Sequence, residues 1–155
     1  MTPAIRYLQK RKIPFSVHKY VLDRSASSYG LDAARALNIP ANEVFKTLVI
    51  SLKNNHFVVA IIPVSEKLCL KSIAKAAGSK TAEMADGAIV ERMTGYVLGG
   101  VSPLGQKRRL ATVIDVSAKD KHKIYISGGK RGLEIEIAPL ELGECLLARF
   151  ENITA

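Results

Sequence analysis

Apolar and polar residues alternate most clearly over Leu133-Glu134-Ile135-Glu136-Ile137. A strand there puts three aliphatic side chains on one face and two glutamates on the other. The same period runs through residues 13–20, with Phe15, Val17 and Lys19 on one face and Ser16, His18 and Tyr20 on the other. Pro14 marks an edge or a strand start, because it has no N–H to give a ladder. Val44 to Leu52 has strong strand propensity, and Phe57 to Val64 is nearly all apolar. The pair reads as a hairpin closed by Lys53-Asn54-Asn55-His56, with the second strand central and covered on both faces. Leu110 to Val116 and Lys123 to Ser127 complete the strands.

Helical spacing appears five times. Thr2-Pro3 is a capping hydroxyl followed by proline at the first helical position, and predicts a helix to Lys10 with Ile5 and Leu8 inward. Lys10-Arg11-Lys12 suits that helix's C-terminal dipole, and phosphate contact is compatible with it. Ser27-Ser28 precede a helix over 30–37, with Leu31, Ala34 and Leu37 inward, and Asn38-Ile39-Pro40 ends it. Leu70, Ile73, Ala74 and Ala77 mark a third helix with Gly78 just past its end. Asp86 caps a fourth, running to Met93 and closed by Gly95. Pro139 opens a fifth, to about Phe150, whose Leu142 and Leu146 cover the sheet. Strands in pairs and small groups, without strict βαβ alternation, predict an α+β fold. Its sheet is mixed, strongly curved and barrel-like, of about six or seven strands flanked by short helices.

Composition refines this picture. At 155 residues, one domain over 1–155 is expected, and 48% hydrophobic with 24% charged residues is the balance of a soluble globular chain. The net charge of +9 favours polyanionic partners. The longest strongly apolar run, Phe57 to Val64, is too short for a membrane span, and residues 1–6 do not resemble a secretory leader. A cytoplasmic location without membrane association is the expectation. Cys69 and Cys145 form no CxxC pair and read as buried, reduced thiols.

Candidate chemistry concentrates in three stretches. The first is residues 95–109: a strand-like start, a Gly99-Gly100 pair, Ser102-Pro103-Leu104-Gly105 as a tight turn, then Lys107-Arg108-Arg109. Such a turn can aim N–H groups at an oxyanion or phosphate; it can also be a hairpin corner with a solvated flank. The second is Lys46, which period two places with Val44, Leu48 and Ile50. A lysine there needs an anion, a polar cavity or a lowered pKa, unless it snorkels from an edge strand. The third is Gly128-Gly129-Lys130-Arg131-Gly132, a second basic glycine turn running into Glu134. Glu134 and Glu136 read as a solvated face, or as acids near Lys46. No GxSxG, HExxH, P-loop or GxGxxG is present, the three histidines lack ligand spacing, and no metal or cofactor is expected. Fixed backbone donors and one lysine suffice for a substrate that is already reactive, such as an activated ester.

Phe45-Lys46-Thr47, Met84-Ala85-Asp86, Thr94-Gly95-Tyr96, residues 99–107 and residues 127–133 together resemble the YbaK group of aminoacyl-tRNA deacylases. That group is related to the editing domain inserted in many bacterial prolyl-tRNA synthetases. The resemblance spans essentially the whole chain. It implies a free-standing enzyme that clears Cys-tRNA(Pro), with tRNA(Pro) and prolyl-tRNA synthetase as partners and no DNA. It places the family's essential lysine on Lys46, its GxxxP loop on Gly99, Gly100, Val101, Ser102 and Pro103, a pocket tyrosine on Tyr20 and a pocket acid on Glu134. The last is a departure, since close relatives carry aspartate. Lys107, Arg108, Arg109, Lys130 and Arg131 are the candidate tRNA contacts. The implied mechanism has the cysteinyl thiol attack its own ester carbonyl. Two alternatives stay open: an Ala-tRNA(Pro) or other small aminoacyl-tRNA deacylase using water, and a non-catalytic tRNA- or synthetase-binding module.

Overall fold

A computed structural model describes residues 1–22 and 29–155, so the Ser27-Ser28 helix start lies outside the described residues. The chain opens with α1 (Pro3–Lys10), where the Thr2 hydroxyl accepts the Ile5 N–H at 3.3 Å. Ala4 and Leu8 form its buried stripe, with Ile5 half-buried beside them. Arg11 stacks over the Tyr7 ring, its guanidinium carbon 3.6 Å from the centroid.

Then come β1 (Ser16–Lys19), α2 (Tyr29–Ala36), β2 (Phe45–Leu52), β3 (Phe57–Pro63), α3 (Leu70–Ala76) and β4 (Ala82–Met84). They are followed by α4 (Gly87–Thr94), β5 (Ala111–Asp115), β6 (Ile124–Ser127), β7 (Leu133–Ile137), α5 (Pro139–Leu146) and β8 (Arg149–Glu151).

The fold is α+β, as expected, but the strands do not join in the one sheet expected. Among the described residues the strands make two sheets, in the orders β4-β2-β3-β5-β8 and β1-β7-β6. They meet at one isolated bridge, Val44 with Tyr125, where the Tyr125 N–H donates to the Glu43 carbonyl at 2.9 Å. β3 is the central strand, as its continuous apolar run requires, paired antiparallel to β2 and parallel to β5.

Two elements depart from the periodicity. α5 stops at Leu146 because Leu147 adopts φ 52, and Ala148 N–H turns back to the Gly143 carbonyl at 2.9 Å. The chain then adds β8 parallel to β5, and the Phe150 ring packs on Gly143, where a Cβ would come within 2.7 Å of it. Residues 96–98, read as a strand start, form a turn: Gly95 and Gly99 have φ of 81 and 89, and Gly100 N–H bonds the Val97 carbonyl at 2.9 Å. Tyr96 is buried, whereas Val97 and Leu98 face outward.

The register of β7 matters most for function. Leu133, Ile135 and Ile137 are buried in the core with Ile124 and Ile126 of β6. Slipping β7 by one residue would expose three aliphatic side chains, each contributing about 1.5–3 kcal/mol by burial, and drive two glutamates inward. The core therefore fixes Glu134 and Glu136 on the opposite face, alongside His18, Tyr125 and Ser127 of the paired strands.

Candidate functional site

A cavity of about 370 Å³ lies between the start of β2 and the polar face of the small sheet. Its lining includes Tyr20, Lys46, Thr47, Leu98, Gly99, Val101, Ser127 and Glu134. The rest is mainly apolar: Val44, Phe45, Leu48, Val49, Val64, Met84, Ala85 and Val90. Tyr20, Lys46, Gly99, Val101 and Glu134, separated by up to 114 positions in sequence, thus border one space.

The two glycine-rich blocks build the rim together. A Cβ on Gly100 would stand 2.8 Å from the Lys130 Cα and 3.1 Å from the Arg131 nitrogen, so only glycine lets these backbones meet. Tyr96 sits behind the joint: its hydroxyl donates to the Leu104 carbonyl at 2.5 Å, and its ring leaves no room for a Cβ on Gly129. Thr2 ties in α1 by donating from Oγ1 to the Gly128 carbonyl at 2.5 Å. Burial pushes the Tyr96 phenol up to about 12, so it remains a donor throughout the working range.

Within the loop the N–H groups divide. That of Gly100 is engaged by Val97, whereas those of Gly99 and Val101 have no acceptor among the described residues. The expected tight turn at Ser102–Gly105 forms as a bend without its closing backbone bond. The Gln106 side-chain amide donates to the Ser102 carbonyl at 3.0 Å instead. Ser102 is fully buried, and its Oγ accepts the Leu104 N–H at 3.3 Å. It shapes the loop and does not line the cavity.

Lys46 and Glu134 in the cavity each carry a cost of desolvation. Burial lowers the Lys46 pKa, and burial pushes the Glu134 carboxyl up to about 8. Neither group is a cause of the other's shift, and they form no ion pair. Glu134 is therefore not on a solvated face: it is buried and shares the cavity with Lys46 without pairing with it. Glu136, by contrast, is bonded to His18 Nε2 at 2.8 Å. Tyr20 is raised by burial first and then by Glu134, which keeps its phenol protonated.

A pH dependence follows. Glu134 binds its proton more tightly folded than unfolded, so its contribution is fully favourable below about pH 4.5 and is lost as pH rises to about 8. Glu134→Gln keeps a neutral amide there. Between pH 5 and pH 8.5, urea denaturation should show the wild type losing roughly 2–4 kcal/mol relative to this variant. Parallel pH profiles for the two would refute a buried neutral acid.

The remaining candidates separate. Pro103 borders a different cavity, of about 230 Å³, with Tyr7, Gln106 and Cys145. Lys107, Arg108 and Arg109 line clefts beyond α4, where Lys107 and Arg108 N–H groups bond the Thr94 and Met93 carbonyls, both at 2.9 Å. Lys130 and Arg131 are exposed next to the loop, and the Arg131 charge acts on Tyr20. Cys69 and Cys145 are free, half-buried and outside the Lys46 cavity.

Sequence reasoning passed over Ser127, Thr47 and Leu98 as site residues. Ser127 precedes the second glycine pair, and its Oγ accepts the Gly129 N–H at 3.1 Å. Its place in the 127–133 block was the signal that could have found it. The motif Met84-Ala85-Asp86 is explained by the fold: Met84 and Ala85 line the cavity, and Asp86 starts α4.

One small, mainly apolar cavity thus combines a buried acid, a partly desolvated lysine and a glycine rim, two of whose N–H groups have no acceptor among the described residues. The chain belongs to the aminoacyl-tRNA editing domain family, whose model matches residues 23–145. A protein of Enterococcus faecalis, provisionally named a Cys-tRNA(Pro)/Cys-tRNA(Cys) deacylase, is 35% identical over 153 residues, covering 99% of this chain and 93% of that protein. An uncharacterised Bacillus subtilis protein, YwhH, is 25% identical over 112 residues, covering 72% of this chain and 71% of its own. Among solved structures, one provisionally described as a trans-editing enzyme for prolyl tRNA synthetase superposes with a TM-score of 0.85 at 21% identity, covering 100% and 99% of the two chains. The crystal structure of a hypothetical protein gives 0.89 at 23%, covering 99% of each. These last two establish the shared fold.

Proposed function

We propose that this editing domain is a free-standing, cytoplasmic deacylase that clears Cys-tRNA(Pro). The observation that carries the reading is the convergence of Lys46, Gly99, Val101, Tyr20 and Glu134 on one cavity of about 370 Å³. That is room for a small aminoacyl group and part of the terminal ribose. The 35% identical relative named for cysteinyl-tRNA supports the substrate class.

Among the described residues, the side chains lining the cavity include no histidine or cysteine, and the serine there, Ser127, already accepts a bond from Gly129. The nucleophile assigned here is the substrate's own thiol. Its sulfur attacks the ester carbonyl carbon, and the C–O bond to the ribose breaks. The ribose oxygen leaves with the electron pair and takes up the proton that the thiol gives up, and the cysteinyl group departs as a thiolactone. The Gly99 and Val101 N–H groups hold the carbonyl oxygen as it gains charge. Lys46 orients the terminal adenosine or its phosphate. Tyr20 and Glu134, both protonated, donate to polar atoms of the substrate. Lys107, Arg108, Arg109, Lys130 and Arg131 contact the tRNA backbone, and prolyl-tRNA synthetase is the partner that supplies the correct tRNA.

Purified Cys-tRNA(Pro), Ser-tRNA(Pro) and Ala-tRNA(Pro) test this directly. The cysteinyl ester should be lost at least about 100-fold faster than the seryl one, because the hydroxyl is much the weaker nucleophile. Equal rates for the cysteinyl and seryl esters would remove the thiol mechanism. Preference for the alanyl ester would replace it with water attack. Absence of turnover on all three would leave a tRNA-binding module.

A further inference from the structure

The Lys46 cavity does not account for most of the positive charge. Among the described residues the ion pair within 4.0 Å is His18–Glu136, and it involves neither Arg92 nor Lys107, Arg108 or Arg109. These four cations are exposed and line two clefts of about 400 and 510 Å³. The clefts share Asn55, Phe57 and Arg108, so they form one continuous groove. Arg149 lies at its far end, its guanidinium hydrogen-bonded to the Ala76 carbonyl. Among the described residues, no aspartate or glutamate lines either cleft. Cations at the end of α4 offset the helix dipole, but that effect acts within the last turn and does not call for five of them.

The groove's position is informative. α4 stands between it and the cavity, with Val90 on the cavity side and Ile89, Arg92 and Met93 on the groove side. β2 also connects them, with Lys46 at the cavity and Leu52 at the groove. Six residues of strand put these ends about 20 Å apart. An aminoacyl ester cannot reach both places, whereas a nucleic-acid stem can.

Resting on the reading of this chain as a tRNA deacylase, we infer that this groove binds the phosphodiester backbone of the tRNA body. The substrate is then held at two places, its acylated end by the cavity and a stretch of backbone by Arg92, Lys107, Arg108, Arg109 and Arg149. Phe57, half-buried, adds apolar surface to the groove against which a ribose or an unpaired base can lie. Recognition here is by charge and shape, so it is strongly salt-dependent and insensitive to the attached amino acid.

The test uses the whole chain and uncharged tRNA(Pro). Arg92→Glu with Arg108→Glu is compared with Lys71→Glu with Lys75→Glu, an equal charge change on exposed residues of α3. The groove pair should weaken binding about 10-fold or more near 0.1 M salt and flatten the salt slope by about 1.5–2; the α3 pair should change affinity less than about threefold. The ratio of kcat/KM for Cys-tRNA(Pro) to that for cysteinyl-adenosine, which has no phosphate, should also fall about 10-fold in the groove pair. Equal weakening by both pairs, or none by the groove pair, would overturn the inference. If the wild type cleaves neither ester, the deacylase reading fails, and the binding measurement still decides the groove.

Discussion

Replacing Lys46 with alanine is expected to lower kcat/KM for Cys-tRNA(Pro) about 100-fold or more while the protein stays folded, since removing one preorganised charged donor from a water-poor site typically has that effect. Lys46 lies at the cavity end of β2, bracketed by the buried Phe45 and the half-buried Thr47, and its backbone is paired with Ile62 on β3. The strand holds the Cα in place whatever side chain it carries. The ammonium is partly desolvated and has no carboxylate partner among the described residues, so it contributes little to stability in the free protein. Its removal should leave the denaturation midpoint unchanged or raised. Lys46→Arg keeps the charge but exchanges a compact ammonium for a planar fork, and should recover only a small part of the activity. Single-turnover deacylation alongside urea melts would test both points. Activity within threefold of wild type would mean that Lys46 is a bystander at the cavity wall; a large loss of stability would mean that its role is structural.

Gly99→Val should remove activity by a comparable factor through a different route. Gly99 has φ 89, a region that costs a residue with a Cβ about 1–2 kcal/mol and a β-branched one more. The loop can relieve that strain by rotating the 99–101 peptides, which turns the Gly99 and Val101 N–H groups away from the carbonyl oxygen they are proposed to hold. The joint behind them, with Gly100 on the Lys130 backbone and Tyr96 on Leu104, lies outside the strained residue and keeps the fold in place. The expected result is a kcat loss of about 100-fold or more, with tRNA affinity within a few-fold of wild type and a stability loss of about 1–2 kcal/mol. Near-normal kcat would sink the role of the loop. A parallel collapse of tRNA binding would show that the substitution damaged more than the donors.

Much of the secondary structure was legible because its signals are local. Thr2-Pro3 started a helix, Gly95 ended one, and five alternating residues defined β7. The misses have equally local causes. The apolar spacing of α5 continues to Phe150, but Leu147 leaves the helical region so that Arg149–Glu151 can pair with β5. β4 has three residues, too few to show a period, and exists because β2 offers it an edge. Tyr96-Val97-Leu98 has strand-forming residues but lies between two glycines of positive φ, and that backbone geometry prevails.

The α+β class, the apolar hairpin of β2 and β3, the basic charge, the two glycine blocks and the oddity of a lysine in an apolar strand can all be read along the chain. Each of these depends on residue type and short-range periodicity, which the chain carries wherever it folds. It took the packing of distant segments to divide the strands between two sheets, to bury Ser102 behind the loop, and to make Glu134 a desolvated acid while Glu136 pairs with His18. The same packing separated the cations of residues 107–109 from the cavity and joined them to Arg92 and Arg149 in a groove. Burial, charge pairing and desolvation are set by which distant segments pack together. Two glutamates two residues apart on the same face of one strand look alike in sequence, and they differ only in what the rest of the fold brings against them.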